Sequence, residues 1–368
     1  MHTSIPGGNI RKFTEEDIPQ VADLHRRVFC VADQPSPELL QAYREYLSEV
    51  YLANPASGAG CESLVYDDGG SIGGFLGVVP FAMCLDGRSL HARMSSQFIV
   101  DPGRRGLVGV SLLRCFLKGP QDLSLADEAN SDARSICQSL GGRFSSLFSM
   151  RWIYPLRPFR LGARLLLRKQ RRLEAAVIPA ITPLTAPLDK LASRFFVNIS
   201  RNPTRFVEED LTADGLAACL QDLPKSVLRP ARDSRSIAWL FERAARLQTH
   251  GSIRKVLLRT ETGAVAGWYV YYLNPGRLSE VIQLYTRTRF GDAVLDHLFE
   301  NAWRGGAAGL HGRLEPCMMD ALSKKRCLFH CGPQWVLIHA RDPELIRRFD
   351  RGETFYSRMD GEWCLRFR

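Results

Sequence analysis

Residues 98–113, FIVDPGRRGLVGVSLL, pass from an apolar run through a proline and an arginine-glycine loop into a helical apolar pattern. Pro102 has no N–H to give a sheet, so the strand must stop near Val100, and the helix starts after Gly106. A chain with this junction has to pack a sheet layer on a helix layer. The first backbone N–H groups of the helix lack intrahelical partners and sit at the positive end of its dipole. That arrangement suits a phosphate or pyrophosphate. Gly106 and Gly109 would let the backbone approach an anion closely, and Arg104 or Arg105 would add charge. The same composition also suits a tight turn with solvated arginines, and the loop's residues alone leave both readings open. Two other phosphate motifs are excluded: no Gly-Lys-Ser/Thr ending makes this a P-loop, and G-x-G-x-x-G is missing.

The segments around the junction fall into a consistent order. Thr14 and Asp17 are placed as a capping pair, and Ile18, Val21, Leu24 and Val28 then form one apolar helical face. Strands are expected at 61–68, 73–83 and 89–101, separated by Asp67-Asp68-Gly69-Gly70 and Asp86-Gly87-Arg88, which are hairpin turns. The helix at 107–118, a short strand at 123–127 and a helix at 130–140 complete an α+β order with one βαβ-like unit. After Arg151 the texture changes to a basic amphipathic run and then a stretch rich in Pro, Ala and Thr. A second α/β run follows: helix 235–248, strands 253–260, 264–274 and 279–287, helix 291–304, strand 308–314, helix 317–325, strand 334–340 and helix 342–349. Its order repeats 61–150 coarsely, without a residue-level repeat. A length of 368 residues suits two domains, read as 1–150 and 196–368 with a basic, Pro/Ala-rich linker region at 151–195.

Two motifs in order carry a family resemblance. VDPGRRGLVGV (100–110) resembles the acyl-CoA pyrophosphate loop, V-x-P-x-x-R-G-x-G-x-G/A, of the GNAT N-acyltransferase superfamily. Twenty residues on, NSDARSICQSLGG (130–142) resembles its second signature, N-x-x-A-x-x-x-Y-x-x-x-G-F. The resemblance covers roughly residues 8–150 and extends in element order alone to the second half, whose Thr286–Gly291 segment lacks the loop. It implies a tandem bacterial protein of two GNAT-like domains, each a mixed, mostly antiparallel sheet flanked by helices. It also implies acetyl-CoA or another acyl-CoA as substrate, no metal, and direct attack of a small or carrier-bound amine on the thioester.

By that resemblance the donor contacts are Phe98, Ile99, Val100, Arg104, Arg105, Gly106, Leu107, Val108, Gly109, Val110 and Asn130. Two family glycines fall on Val108 and Val110, with Gly109 between them. The family's thiolate-protonating Tyr falls on Cys137, which is read either as a weak acid or as a packed thiol. Asn130 either only caps its helix, or caps it and also reaches the pantetheine arm. Asp127, with Glu128 beside it at the end of its strand, is the candidate base, against a capping or solvated role, while Ser96 and Gln97 could orient substrate. The alternatives to an acyl-CoA-dependent N-acyltransferase are a FemABX-like tRNA-dependent aminoacyl transferase and a non-catalytic acyl-CoA-binding scaffold.

Charge enters through one segment. Of the net +10, much sits between Arg151 and Arg172, where eight basic residues meet no acidic one. Arg157–Arg172 either faces an anionic surface or is a solvated helix face packing its leucines on the body. Ten cysteines without a dense framework suit reduced thiols, and no run of about 20 apolar residues suggests a span, so the expected location is cytoplasmic. Cys327, His330 and Cys331 lack a partner pair at zinc spacing, and the alternating run Trp268–Tyr272 reads as core.

Overall fold

A computed structural model describes residues 3–5, 8–29, 36–56, 62–104, 106–167, 177, 183–191 and 205–367. The first strands are β1 (Thr3–Ile5), β2 (Gly8–Lys12), β3 (Leu64–Asp68), β4 (Ser71–Leu85), β5 (Arg88–Val100), β6 (Leu123–Ala129) and β7 (Arg143–Ser145). They are followed by β8 (Met150–Pro155), β9 (Val207–Asp210), the two-residue β10 (Arg229–Pro230), β11 (Ser252–Arg259) and β12 (Val265–Leu273). The last four are β13 (Leu278–Thr286), β14 (Gly309–Arg313), β15 (Leu328–Cys331) and β16 (Trp335–Ala340).

These strands build two mixed, mostly antiparallel sheets flanked by helices, an α+β architecture. The first sheet runs β1-β2-β3-β4-β5-β6-β16-β7 with β10 on the side of β4, and the second runs β15-β8-β14-β13-β12-β11-β9. Read from β2 and from β9, the orders match position for position. In each sheet the parallel pair, β5 with β6 and β13 with β14, is the exception among antiparallel neighbours. Each sheet also borrows a strand from the other half of the chain. β16 lies between β6 and β7, and β8 lies between β14 and β15. Residues 151–155, which sequence texture assigns to the linker region, are therefore strand. Trp152 and Tyr154 are buried in the second lobe while Arg151, Ile153 and Pro155 are partly exposed, an alternation masked by the arginines around it.

Local chemistry explains the elements that position the site. The helix Ile18–Phe29 buries Ile18, Val21, Leu24 and, on the same face, His25. Thr14 precedes it as expected: its N–H donates to Asp17 Oδ2 at 2.9 Å. The helix Pro37–Tyr51 was not expected from the sequence, because its buried stripe consists of Tyr43, Tyr46, Leu47, Val50 and Tyr51 among charged residues. Tyrosines serve as core here because each hydroxyl finds a partner. The run Trp268–Tyr272 is fully buried, as its alternation suggests. One apolar cluster joins Phe75, Met94 and Leu125 of the first lobe to Trp268, Ile282 and Trp363, so the lobes share a core.

Candidate active site

The parallel pair β5–β6 stays in register only from Ala92/Leu123 to Met94/Leu125. Beyond that the strands separate, and Ser95 Oγ spans the start of the split to the Leu125 carbonyl at 3.3 Å. A bulge drives the separation. The β4–β5 register shifts between Phe75 and Gly77, and opposite it Gln97 takes φ +52, a left-handed value unusual for a residue with a side chain. Past Ser95 the β6 side of β5 has no strand partner and borders a cleft, while its other side stays paired with β4.

That cleft is a cavity of about 670 Å³, within the usual range for a small-molecule site. At one end it meets the helix Leu107–Leu117, whose N-cap Gly106 has φ +99, a conformation that only glycine adopts without strain. The first intrahelical bond runs from Val110 N–H to the Gly106 carbonyl at 3.0 Å, so the N–H groups of Leu107, Val108 and Gly109 have no intrahelical acceptor. Phe98, Val100, Gly106, Gly109 and Asn130 line the cavity. Ile99 and Val108 are buried in the core, Leu107 is 71% exposed, and Val110 is half-buried in the helix. Arg104 pairs with Asp68 at 2.5 Å, and Arg105 lies outside the described residues. Asn130 is the N-cap of the helix Ser131–Ser139, accepting the Ala133 N–H at 2.9 Å. Asn130 thus caps its helix, as expected, and also lines the cavity.

The opposite end is built by segments far apart in sequence. His25, Val28, Phe29, Gln97, Glu362 and Phe367 meet there. His25 Nδ1 lies 2.8 Å from the Tyr43 hydroxyl and Nε2 2.9 Å from Gln97 Oε1. Since Gln97 Oε1 only accepts, Nε2 carries the proton and Tyr43 donates to Nδ1. Burial lowers the imidazole to about 4 and keeps it neutral. Glu362 Oε1 accepts the Gln97 N–H at 2.9 Å at the bulge. Burial, and secondarily the charge of Asp127, raise the Glu362 carboxyl to about 7.

Asp127 itself does not line the cavity. Its side chain is fully buried, taking Arg313 Nη1 at 3.2 Å and the Glu362 N–H at 2.7 Å. Gly361 crosses directly above it: a Cβ there would lie 1.8 Å from Asp127 Oδ2. Glu128 reaches the cavity but is matched by cations, with Arg358 Nη2 at 2.6 Å, Arg366 in contact and Arg151 at 3.8 Å. Cys137 is also outside this cavity. It sits beneath Gly142 beside a separate void of about 20 Å³, with its thiol raised to about 11 by burial. The sequence reading missed His25 and Glu362. For Glu362 no local signal exists, because the residues that orient it lie 235 and 265 positions away.

This arrangement can hold an anion at the helix start, bind a flat or extended group along β5, and accept a proton at Glu362. Residues 9–115 match the family model of an acetyltransferase (GNAT) domain. The chain carries a GNAT acetyltransferase domain. The match runs from β2 through the start of the helix Leu107–Leu117 and stops before the second signature at Asn130. No curated protein matches the sequence. Among solved structures, the GCN5-related N-acetyltransferase of Anabaena variabilis superposes with a TM-score of 0.60 at 10% identity, over 91% of this chain and 73% of that one. A conserved Enterococcus faecalis protein described as a probable N-acyltransferase gives 0.57 at 12%, over 92% and 73%. The GCN5-related N-acetyltransferase of Kribbella flavida gives 0.54 at 15%, over 93% and 73%. At such identities the likeness is one of fold, and it spans both lobes, each of which is GNAT-like. By its GNAT domain the protein is an acyltransferase. Among the described residues no cluster of three or more His, Cys, Asp or Glu is placed to hold a metal ion, and no helix is long and apolar enough to cross a membrane.

Proposed function

We propose that the protein is an acyl-CoA-dependent N-acyltransferase with one donor site per chain, in the first lobe. The observation that carries this reading is the meeting, in one cavity, of the unpaired helix-start amides after Gly106 and a carboxylate raised to about 7. The amides of Leu107, Val108 and Gly109 take the pyrophosphate, Phe98–Val100 lie along the pantetheine arm, and Asn130 flanks it. The thioester carbonyl then sits at the split between β5 and β6, where strand-edge amides polarise it. Residues 1–150 supply the donor half, 151–195 the connection, and 196–368 the far wall of the cleft through Glu362 and Phe367.

An amine arrives protonated and must lose that proton to attack. Glu362 takes it, because a carboxylate with a pKa near 7 is a competent base at neutral pH. The amine nitrogen bonds to the carbonyl carbon, the C–S bond breaks, and the departing CoA thiolate is protonated from solvent. Asp127 serves as a positioning residue: it holds the Glu362 N–H while Arg313 balances its charge. Cys137 serves as packing. The acceptor is a small amine with an apolar or aromatic portion, since Val28, Phe29 and Phe367 line its end.

The test is thiol release from acetyl-CoA against a panel of amines with purified full-length protein. Amine-dependent release without tRNA supports the reading. Donor binding with no release from any acyl-CoA supports a scaffold, and a strict need for charged tRNA supports aminoacyl transfer.

A further inference from the structure

Eleven large apolar side chains are exposed among the described residues, and six of them fall in one region: Phe159, Leu165, Leu166, Leu184, Leu188 and Leu191. They sit on two helices, Pro158–Leu167 and 183–191. Leu184, Leu188 and Leu191 are spaced by four and three, so they form one stripe along a helix. Leu166 is 86% exposed. The helices are tied together by the Phe159 N–H, which donates to Asp189 Oδ1 at 2.9 Å. Leu161 faces inward, beside Leu278 and the backbone of Gly309. These contacts place the pair at the end of β13–β14 where those strands begin, and none of the six exposed side chains lines the cavity.

The segment that carries this stripe is predominantly basic in sequence. From 151 to 191 the sequence carries nine Lys or Arg residues against two carboxylates. Asp189, the only acid within the two helices, is buried at 3% exposure under the Phe159 N–H. Arg160, Arg164 and the exposed Lys190 flank the leucines. Of the expected basic run, Arg168–Arg172 lies outside the described residues.

We propose that this face docks on an anionic lipid surface, with the leucines entering the headgroup–acyl boundary and the cations meeting lipid phosphates. Exposed apolar stripes of this kind mark interaction surfaces, and the charge selects among partners. A second copy of the chain would set like charges against each other, which disfavours self-pairing. RNA would engage the cations but give the leucines nothing to do, because single strands stack on aromatic rings.

Co-sedimentation tests this with two kinds of vesicle, phosphatidylcholine alone and phosphatidylcholine mixed equally with phosphatidylglycerol. The full-length protein should pellet with the mixed vesicles and stay in solution with the neutral ones. Binding should fall steeply from low to physiological salt. The combined variant Leu184→Ser, Leu188→Ser, Leu191→Ser should lose most of it while keeping the wild-type melting temperature. Should that variant misfold, the single change Leu166→Ser, at a side chain almost wholly in solvent, should still weaken binding several-fold. The proposal is overturned by absence of binding to mixed vesicles, or by binding that well-folded leucine variants leave unchanged. It is also overturned by a leucine-dependent dimer in sedimentation velocity, or by salt-sensitive RNA capture in place of vesicle binding.

Discussion

The two sheets share a strand order and differ in what fills the split of their parallel pair. In the first lobe β5 and β6 part after Met94, and the gap is the cavity. In the second, β13 and β14 part after Val281, and the chain fills the gap with itself. The Met359 N–H donates to the Ile282 carbonyl at 3.1 Å, and Gln283 Nε2 donates to Ser357 Oγ at 3.0 Å. Arg313 reaches the Tyr356 carbonyl at 3.2 Å, and Glu315 is buried there with its carboxyl raised to about 8. Both loops make a short 3-10 turn before the helix, Pro102–Arg104 and Thr288–Phe290, but the first goes on to the left-handed Gly106 while Gly291 in the second is right-handed. A common backbone therefore does not make a common site. A chemical site depends on the split staying open, and the segment that closes the second split continues directly to Glu362 in the first.

The sharpest way to break this contrast is at the helix start. Gly106→Pro fixes φ far from +99 and should abolish measurable CoA binding in calorimetry, while the unaltered protein binds one CoA per chain. Retained affinity in a folded Gly106→Pro protein, or a stoichiometry of two, would erase the proposed division between lobes.

Next in size is Glu362→Gln, for which turnover should fall roughly 100- to 1,000-fold, the scale of general-base contributions. The sign of the pH dependence follows from the raised carboxyl. Glu362 is protonated and idle below about 7, so kcat/KM should climb with pH up to that point and level off above it. In Glu362→Gln the climb should vanish. A wild-type profile flat from pH 5.5 to 8.5 would remove Glu362 from the chemistry.

Arg313→Met probes the bridge between lobes. It strands Asp127 as an unpaired buried charge, which costs about 3–5 kcal/mol, read from urea unfolding. A change below about 1 kcal/mol would show that Asp127 is not held as a charge by this pair. The smallest effect belongs to Cys137→Ser. A thiol packed beneath Gly142 should yield a stability loss of about 1 kcal/mol and turnover within a few-fold of wild type. A hundred-fold loss of turnover would restore the acid role.

Much of this was legible in the chain. Hairpin turns, strand alternation and the apolar face of the first helix place β2 to β6, and the Pro102–Gly106 stretch marks the helix start that meets one end of the cavity. Helix 291–304 has the observed bounds to the residue. What escaped is what lies far off in sequence or is disguised in composition. Trp335–Ala340 reads as a strand, but nothing in it tells which sheet it joins. Met150–Pro155 hides its alternation among arginines. The Pro37–Tyr51 helix buries tyrosines in place of aliphatic residues. Asp127 lies where a base was expected at the strand end, yet Arg313 and the Glu362 N–H, neither adjacent to it in sequence, decide what its carboxylate does.

The exchange of β8 and β16 has a consequence for how the protein comes off the ribosome. β6 and β7 are finished by residue 145, but the strand that belongs between them begins at Trp335. For the time taken to add those residues, roughly ten seconds or more at usual elongation rates, the first lobe carries two unpaired edges. Contacts of such separation are slow to form, and open edges invite pairing with other nascent chains. The cavity thus cannot mature with residues 1–150 alone, and it becomes complete only once the segment carrying β16 and Glu362 has been made.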